Sequence, residues 1–366
     1  MSKSLLFIPD ISGFTEFVQT TEVEHSQHVI SELLETLIEA NTLGLKLAEI
    51  EGDALFFYLE NKIPSKEELM AQVEAMNIAF HKHLQLLKTH RICPCKACVC
   101  ATELQLKIVA HSAELSFIKV QKSVKPFGKE VIEVHRLLKN SIDSDNYVLI
   151  SEQLATDMNL SSTYSHRLFA FENGLESYDG NEIKFMYANI NKHDLEIPPV
   201  SIPQTLEMNA KPNIKFERTF SVSAKSLLEF ITNYSYRPHW AKDVDKMSYR
   251  KNEVTRLGTE HSCIINDQLL DFTVVKKKGN SSELVYGEFT SSFSLFDKLY
   301  IFYVITPLSP NTSSLQLELY WKTSPLKKVS VSLFGRKNIK ELFEKALRNL
   351  RNYITSIVSS DYTLAE

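Results

Sequence analysis

Two rhythms of hydrophobic and polar residues divide the chain. In the first half, short apolar runs alternate with longer stretches in which apolar residues return every three or four positions. Leu5 to Pro9 is short and apolar enough for a buried strand. Ser26 to Ala40 sets Val29, Ile30, Leu33, Leu34, Leu37 and Ile38 on one helical face, and Lys66 to His90 repeats the stripe with Leu69, Val73, Met76, Phe80, Leu84 and Leu87. Leu45 to Ile50 and Ala54 to Tyr58 read as strands joined by a tight turn at Gly52-Asp53. Leu104 to His111 and Leu115 to Val120 read as a second hairpin, Val131 to Lys139 as a helix and Tyr147 to Ile150 as a further strand. Strands mixed with helices in this order predict an α+β unit over residues 1–190.

The rhythm fails after residue 190. A proline-bearing polar stretch follows in which neither a period of 2 nor one of 3.6 survives, so residues 191–209 are expected to be a linker. From residue 210 to residue 366 long alternating strands dominate. Ile214, Phe216, Phe220 and Val222 alternate with Lys215, Glu217, Thr219 and Ser221, and Leu315, Leu317, Leu319 and Trp321 alternate with Gln316, Glu318 and Tyr320. Each such strand has one buried face. Ser223 is placed to cap a helix from Ala224 to Asn233, and a last helix runs from about Asn338 to Ser359.

Composition supports two cores: the chain has 366 residues, of which 43% are hydrophobic. A formal charge of −4 argues against a general nucleic-acid surface. No segment approaches the roughly 20 apolar residues needed to cross a bilayer, and the N-terminus enters a strand without a signal-peptide pattern. A cytoplasmic location with no transmembrane segment is the expectation. Four of the five cysteines, Cys93, Cys95, Cys98 and Cys100, crowd one loop as C-x-C-x-x-C-x-C. That spacing suits a structural Zn2+, with His90 able to replace one thiolate, and equally a loop of free or redox-active thiols.

The sharpest chemistry lies in Asp10-Ile11-Ser12-Gly13-Phe14-Thr15 and Glu51-Gly52-Asp53. Asp10 ends a strand, and the chain then opens a helix at Ser12 to Phe14. The free N–H groups of Ile11 to Thr15, with Gly13 allowing close approach, suit a phosphate. If the two strands are neighbours, the turn carries Asp53 beside Asp10, and paired carboxylates describe a Mg2+ or Mn2+ site. Taken singly, each Asp is more simply a helix cap or a turn residue.

DISGFT after a strand, with GD at the tip of the next hairpin, resembles the catalytic domain of class III adenylate and guanylate cyclases. The resemblance covers about residues 1 to 190. It implies a ferredoxin-like sheet and two metal ions held by Asp10 and Asp53, which activate the ribose 3′-hydroxyl of a nucleoside triphosphate for in-line attack. It also implies a homodimer, because such sites form between two catalytic domains. By the same resemblance, Gly128 matches a family glycine and Arg136 the transition-state arginine. Ile132 falls where the family has a ribose-positioning asparagine, and an apolar side chain cannot make that hydrogen bond. Glu49 and Lys125 fall at the two base-recognition positions; a carboxylate at 49 suits the donor edge of guanine, or is an exposed strand residue. His111 and His135 read as structural.

The order of strand, short helix, antiparallel sheet and long last helix is similar to the START-like superfamily of polyketide cyclases and lipid-binding proteins. This resemblance rests on architecture. It implies a helix-grip cup holding a hydrophobic small molecule or lipid, with Phe272, Phe289, Phe293, Tyr303 and Trp321 as candidate lining residues or ordinary core. Two functions follow. One is a nucleotidyl cyclase with an apolar-ligand domain. The alternative is a catalytically degenerate homologue acting as a nucleotide- or lipid-binding signalling module.

Overall fold

The computed structural model describes residues 3–363 other than 179, 202–204, 252, 266, 326 and 328–334. It divides into two compact units, Met1–Lys88 with Lys96–Val200, and Thr89–Cys95 with Ser201–Glu366. Among the described residues, no helix is long and apolar enough to cross a membrane.

In the first unit, β1 (Ser4–Ser12) turns into α1 (Phe14–Thr20) and α2 (Val23–Glu39). The hairpin β2 (Lys46–Glu51) and β3 (Ala54–Leu59) follows, then α3 (Lys66–His90) and α4 (Lys96–Cys100). Next come β4 (Gln105–Ala113), β5 (Ser116–Val120), β6 (Ser123–Phe127), α5 (Lys129–Leu137), β7 (Tyr147–Ser151) and α6 (Glu152–Asp157). Two short strands, β8 (Ser165–His166) and β9 (Phe169–Ala170), precede β10 (Glu172–Tyr178) and β11 (Asn181–Asn189). The main sheet runs β10-β11-β7-β4-β1-β3-β2, and β4 with β7 is its one parallel pair. β1 is central. Its apolar residues Leu5 to Ile8 are fully buried because both edges and both faces are covered.

Alternation along the strands sorts the faces. Leu6, Ile8, Phe56, Val109 and Leu149 form one core with Val134 and Leu137 of α5. The stripes expected on α2 and α3 are buried, and Glu32 pairs with His83 at 2.9 Å to tie these helices together. Gln72, fully buried on α3, accepts from Thr42 N at 2.7 Å and donates to Ala40 O at 2.9 Å, which holds the chain as it leaves α2. One expected pairing fails: β5 joins β6 in a separate ribbon and does not pair with β4. The reason is topological. Both edges of β4 are already taken, by β1 and by β7.

The second unit carries β12 (Ile214–Phe220), α7 (Ala224–Thr232), α8 (Arg237–Trp240), β13 (Lys246–Ser248), β14 (Glu260–Ile265) and β15 (Gln268–Val275). β16 (Leu284–Thr290), β17 (Lys298–Ser309), β18 (Thr312–Lys322) and the long α9 (Arg336–Thr363) complete it. Six strands meander in order from β13 to β18, and β12 adds beside β18 to close an antiparallel sheet of seven. Ser223 caps α7, its Oγ accepting from Ser226 N at 3.0 Å. Phe216, Leu227, Ile231, Ile301 and Leu319 pack with Leu347, Leu350 and Ile354 of α9 on one face of the sheet. Val285, Phe302, Val304 and Tyr320 form a smaller cluster on the other, covered in part by Leu206 and Met208. These two come from the stretch expected to be featureless linker. Leu206 instead bonds to the sheet, its N–H donating to Lys276 O at 2.8 Å.

Candidate active site

The sheet register assembles the first site. Asp10 lies opposite Ala54 on one side and opposite Lys107 on the other, and Lys107 lies opposite Tyr147. Ile11 N donates to Asp53 O at 3.2 Å, which seats the Gly52-Asp53 turn against the end of β1. Gly52 has φ 70°, a left-handed conformation that glycine adopts without strain and that this two-residue turn requires. The result is that Asp53 comes to rest beside Asp10, close enough for their carboxyl groups to share a hydrogen bond.

The electrostatics follow from that closeness. Burial and the neighbouring Asp10 charge push the Asp53 carboxyl up to about 7, and Lys107 offsets only part of this. Lys107 Nζ stands 3.1 Å from Asp10 Oδ2. Burial works against its ammonium, but the Asp10 and Asp53 charges outweigh that and raise it above its ordinary value. Two carboxyl groups thus lie against one ammonium, and Asp53 keeps its proton to a higher pH than an isolated acid. A pair of hard oxygen donors whose mutual repulsion is relieved this way fits a divalent cation such as Mg2+ or Mn2+. Lys107 is a site residue that sequence reading missed. The available signal was a lysine at an inward position of an otherwise apolar strand.

Around the pair, Ser12 is buried and its Oγ has no partner among the described residues, while Gly13, at φ 86°, turns the chain into α1. Ile11 is buried, Phe14 half-buried and Thr15 exposed. α5 begins after Gly128 and presents Ile132, 58% exposed, one turn before the half-buried Arg136. His135 Nε2 reaches Glu51 Oε2 at 2.9 Å, fastening α5 beside the Gly52-Asp53 turn. His111 is fully buried, with Nδ1 2.9 Å from Ser151 Oγ and Nε2 2.9 Å from Glu130 Oε2. Glu49 and Lys125 come together as an ion pair at 2.6 Å.

In the cysteine loop, the packing of α4 on α2 brings Cys98 Sγ to 3.6 Å from His25 Nδ1. Glu22 fastens the two segments by accepting from Lys96 N at 3.2 Å and Ala97 N at 3.0 Å.

In the second unit a cavity of about 80 Å3 opens between the sheet and α9. Phe272 and Tyr303 line it. Phe289 does not, because strand alternation turns it to the opposite face, where it stacks on Tyr300 at 4.9 Å. Phe293 and Trp321 also lie outside the lining and both stack on Phe296 instead. At the cavity wall, Arg237 Nη2 meets Glu288 Oε1 at 2.5 Å, and Tyr286 donates to the same oxygen at 2.7 Å. Burial works against the Glu288 carboxylate, yet the Arg237 charge and these bonds hold it below its ordinary range.

Residues 30–147 match a family model described as a protein of unknown function, DUF2652. An uncharacterized protein of Mycobacterium tuberculosis is 34% identical over 126 residues. The match takes in 34% of this chain and spans 58% of the length of that relative. Solved structures similar to about half of the chain are adenylyl and guanylyl cyclases. The adenylyl cyclase CyaB from P. aeruginosa is 18% identical with a TM-score of 0.39, covering 53% of this chain and 97% of its own. The guanylate cyclase domain of RhGC from Catenaria anguillulae, in complex with GTP, is 16% identical with a TM-score of 0.38, covering 52% and 98%. Ara h 8.0201 is 12% identical with a TM-score of 0.32, covering 39% and 97%.

Two predictions follow from these electrostatics. Because the Asp53 pKa is raised on folding, the unfolded chain ionises first, so without metal the folded state loses stability as pH rises from about 4 to about 7. Melting of Asp53→Asn in chelator should therefore gain on wild type across that window; a difference that stays constant with pH would show that the two acids do not interact. Separately, Arg237→Ala should cost the second unit about 3–5 kcal/mol in denaturant unfolding by stranding a buried carboxylate, and Arg237→Met with Glu288→Leu should recover most of it.

Proposed function

We propose that the first unit is a class III cyclase-like module that converts a nucleoside triphosphate to a cyclic nucleotide, and that the second is a START-like, helix-grip domain for a small apolar ligand. The observation that carries the first part is the Asp10–Asp53 pair, held together at the end of β1 by the Ile11 N–H to Asp53 O bond and faced by Lys107 at 3.1 Å from Asp10. A bound Mg2+ or Mn2+ would supply the positive charge that activates the ribose 3′-hydroxyl and holds the triphosphate. Asp10 and Asp53 are its ligands. Lys107 neutralises Asp10 in the metal-free chain. The Ile11 N–H is taken by Asp53 O, so the phosphate oxygens are read against the N–H groups of Ser12 to Thr15 and the unpartnered Ser12 hydroxyl. Cyclisation forms the bond from O3′ to the α-phosphorus, passes the hydroxyl proton to water and breaks the bond to the leaving pyrophosphate, and the Arg136 guanidinium offsets charge on the phosphoryl oxygens. Glu49, positioned by Lys125, accepts from the N1–H and amino group of guanine.

A homodimer completes this reading. The β5–β6 ribbon exposes Phe117, Ile118, Val120, Val124 and Phe127, the last by 60%, a run of apolar surface that a second copy would cover. Ile132 favours a second reading, in which the unit binds nucleotide without turning it over, because its exposed aliphatic side chain offers no hydrogen bond to a ribose. On its C-x-C-x-x-C-x-C spacing, the loop of Cys93, Cys95, Cys98 and Cys100 is read as a structural Zn2+ site, with thiolates of the right kind and number for tetrahedral coordination.

With Mn2+ and GTP the protein should release cyclic GMP at least tenfold faster than cyclic AMP from ATP. Asp10→Ala and Arg136→Ala should each be inactive alone and regain activity when mixed, since each dimer interface then keeps one intact site. Metal-dependent GTP binding with no cyclic product would select the second reading. For the loop, elemental analysis should find one zinc per chain, lost in Cys95→Ser with Cys98→Ser; an unmodified protein without stoichiometric zinc would sink the Zn2+ assignment.

A further inference from the structure

The cavity of the second unit is mostly apolar. Trp240, Phe272, Leu317, Phe343 and Leu347 line it, and Arg237, Asp243, His261, Glu288 and Tyr303 bring polar groups to it, the Asp243 carboxylate being paired with Lys345 Nζ at 2.6 Å. His261 is 3% exposed; its Nε2 stands 3.5 Å from Glu288 Oε1, and neither ring nitrogen, nor Arg237 Nε, makes a hydrogen bond among the described residues. Buried polar atoms are nearly always partnered, by protein, water or ligand, so three orphans on one cavity wall mark a place where a guest is expected. The other atoms of this wall are engaged: Glu288 accepts from Arg237 and Tyr286, and Tyr234 and Tyr286 hydroxyls lie 3.1 Å apart.

Charge narrows the guest. Arg237 and Glu288 cancel each other, and burial lowers His261 to about 4, so the imidazole is neutral at physiological pH. An anionic head would meet the Glu288 carboxylate and a cationic head the Arg237 guanidinium, each at short range in a medium where such repulsion is strong. Size narrows it further. At about 10–15 Å3 per water-sized probe, 80 Å3 accommodates a guest of roughly one ring and excludes a diacyl lipid.

Building on the reading of this unit as an apolar-ligand domain, we propose that the cavity takes a neutral, single-ring-sized molecule whose hydroxyl-type head accepts from Arg237 Nε and donates to the His261 imidazole. The ring lies among Trp240, Phe272 and Phe343. The head discriminates: an apolar guest of the same size leaves the orphaned atoms unpaired, and an acid adds an uncompensated charge.

The test uses the full chain and three probes of one shape, benzyl alcohol, toluene and benzoate, titrated calorimetrically. Benzyl alcohol should bind at least tenfold more tightly than either of the others. His261→Phe, which keeps the ring and removes its nitrogens, should leave the fold intact and erase the preference of alcohol over toluene. Leu347→Trp, which fills the cavity, should abolish binding of all three and so locate the site. Toluene binding as well as the alcohol, or benzoate binding best, would overturn the head-group assignment while leaving an apolar-ligand domain standing. No binding of any probe to wild type would overturn both.

Discussion

Two carboxylates cannot both remain charged when the backbone holds them in contact, and the first site is organised around that conflict. The register of β1 against β3 places Asp10 opposite Ala54, and the Gly52-Asp53 turn then has nowhere to put Asp53 except beside Asp10. The strand is central and fully buried, so the fold cannot relax the pair apart without unpairing its own sheet. Relief comes instead from a proton on Asp53 and from Lys107, one strand over in the same row. A site whose repulsion is relieved by mobile or exchangeable charge is poised to receive a cation. The same geometry explains why the pH behaviour of Asp53 is opposite to that of an ordinary salt-bridged acid.

The second unit resolves a related conflict differently. Arg237 and Glu288 are both almost wholly buried, and each makes the other tolerable in a low-dielectric wall. Their closeness leaves the pair electrically neutral but the wall not fully hydrogen-bonded, because the fork of Arg237 is committed through its terminal nitrogens and His261, packed by Tyr234 at 4.4 Å and Phe272 at 5.2 Å, comes no nearer than 3.5 Å to the Glu288 carboxylate. Neutrality and incomplete pairing together give this cavity a character distinct from a plain apolar core. The first unit concentrates charge at Asp10, Asp53 and Lys107, and the second cancels it between Arg237 and Glu288.

Much of this was legible in the chain. The stripes on α2, α3 and α9, the cap at Ser223 and the turn at Gly52-Asp53 all carry local signals, and each appears within a few residues of where periodicity puts it. What failed did so for non-local reasons. β5 is a good strand whose expected neighbour had no free edge, so it formed a ribbon with β6 and left its apolar side chains exposed. Phe289 is as apolar as Phe272, but a strand has two faces and periodicity alone does not say which faces a cavity. Leu206 looks like linker until the sheet offers it a backbone partner.

The sequence by itself determined which residue types could do chemistry and at what spacing: acids at a strand end and a turn, thiols crowded in one loop, two cores of different rhythm. Local preferences and alternation are properties of neighbours along the chain, so they can be read there. Only the tertiary structure decided who meets whom. It brought Lys107 to Asp10 through strand register, His25 to Cys98 through the docking of α4 on α2, and Arg237 to Glu288 across the second unit. Such partners lie far apart in sequence, and charge, burial and hydrogen bonding act through distance in space, which the linear order of residues does not contain.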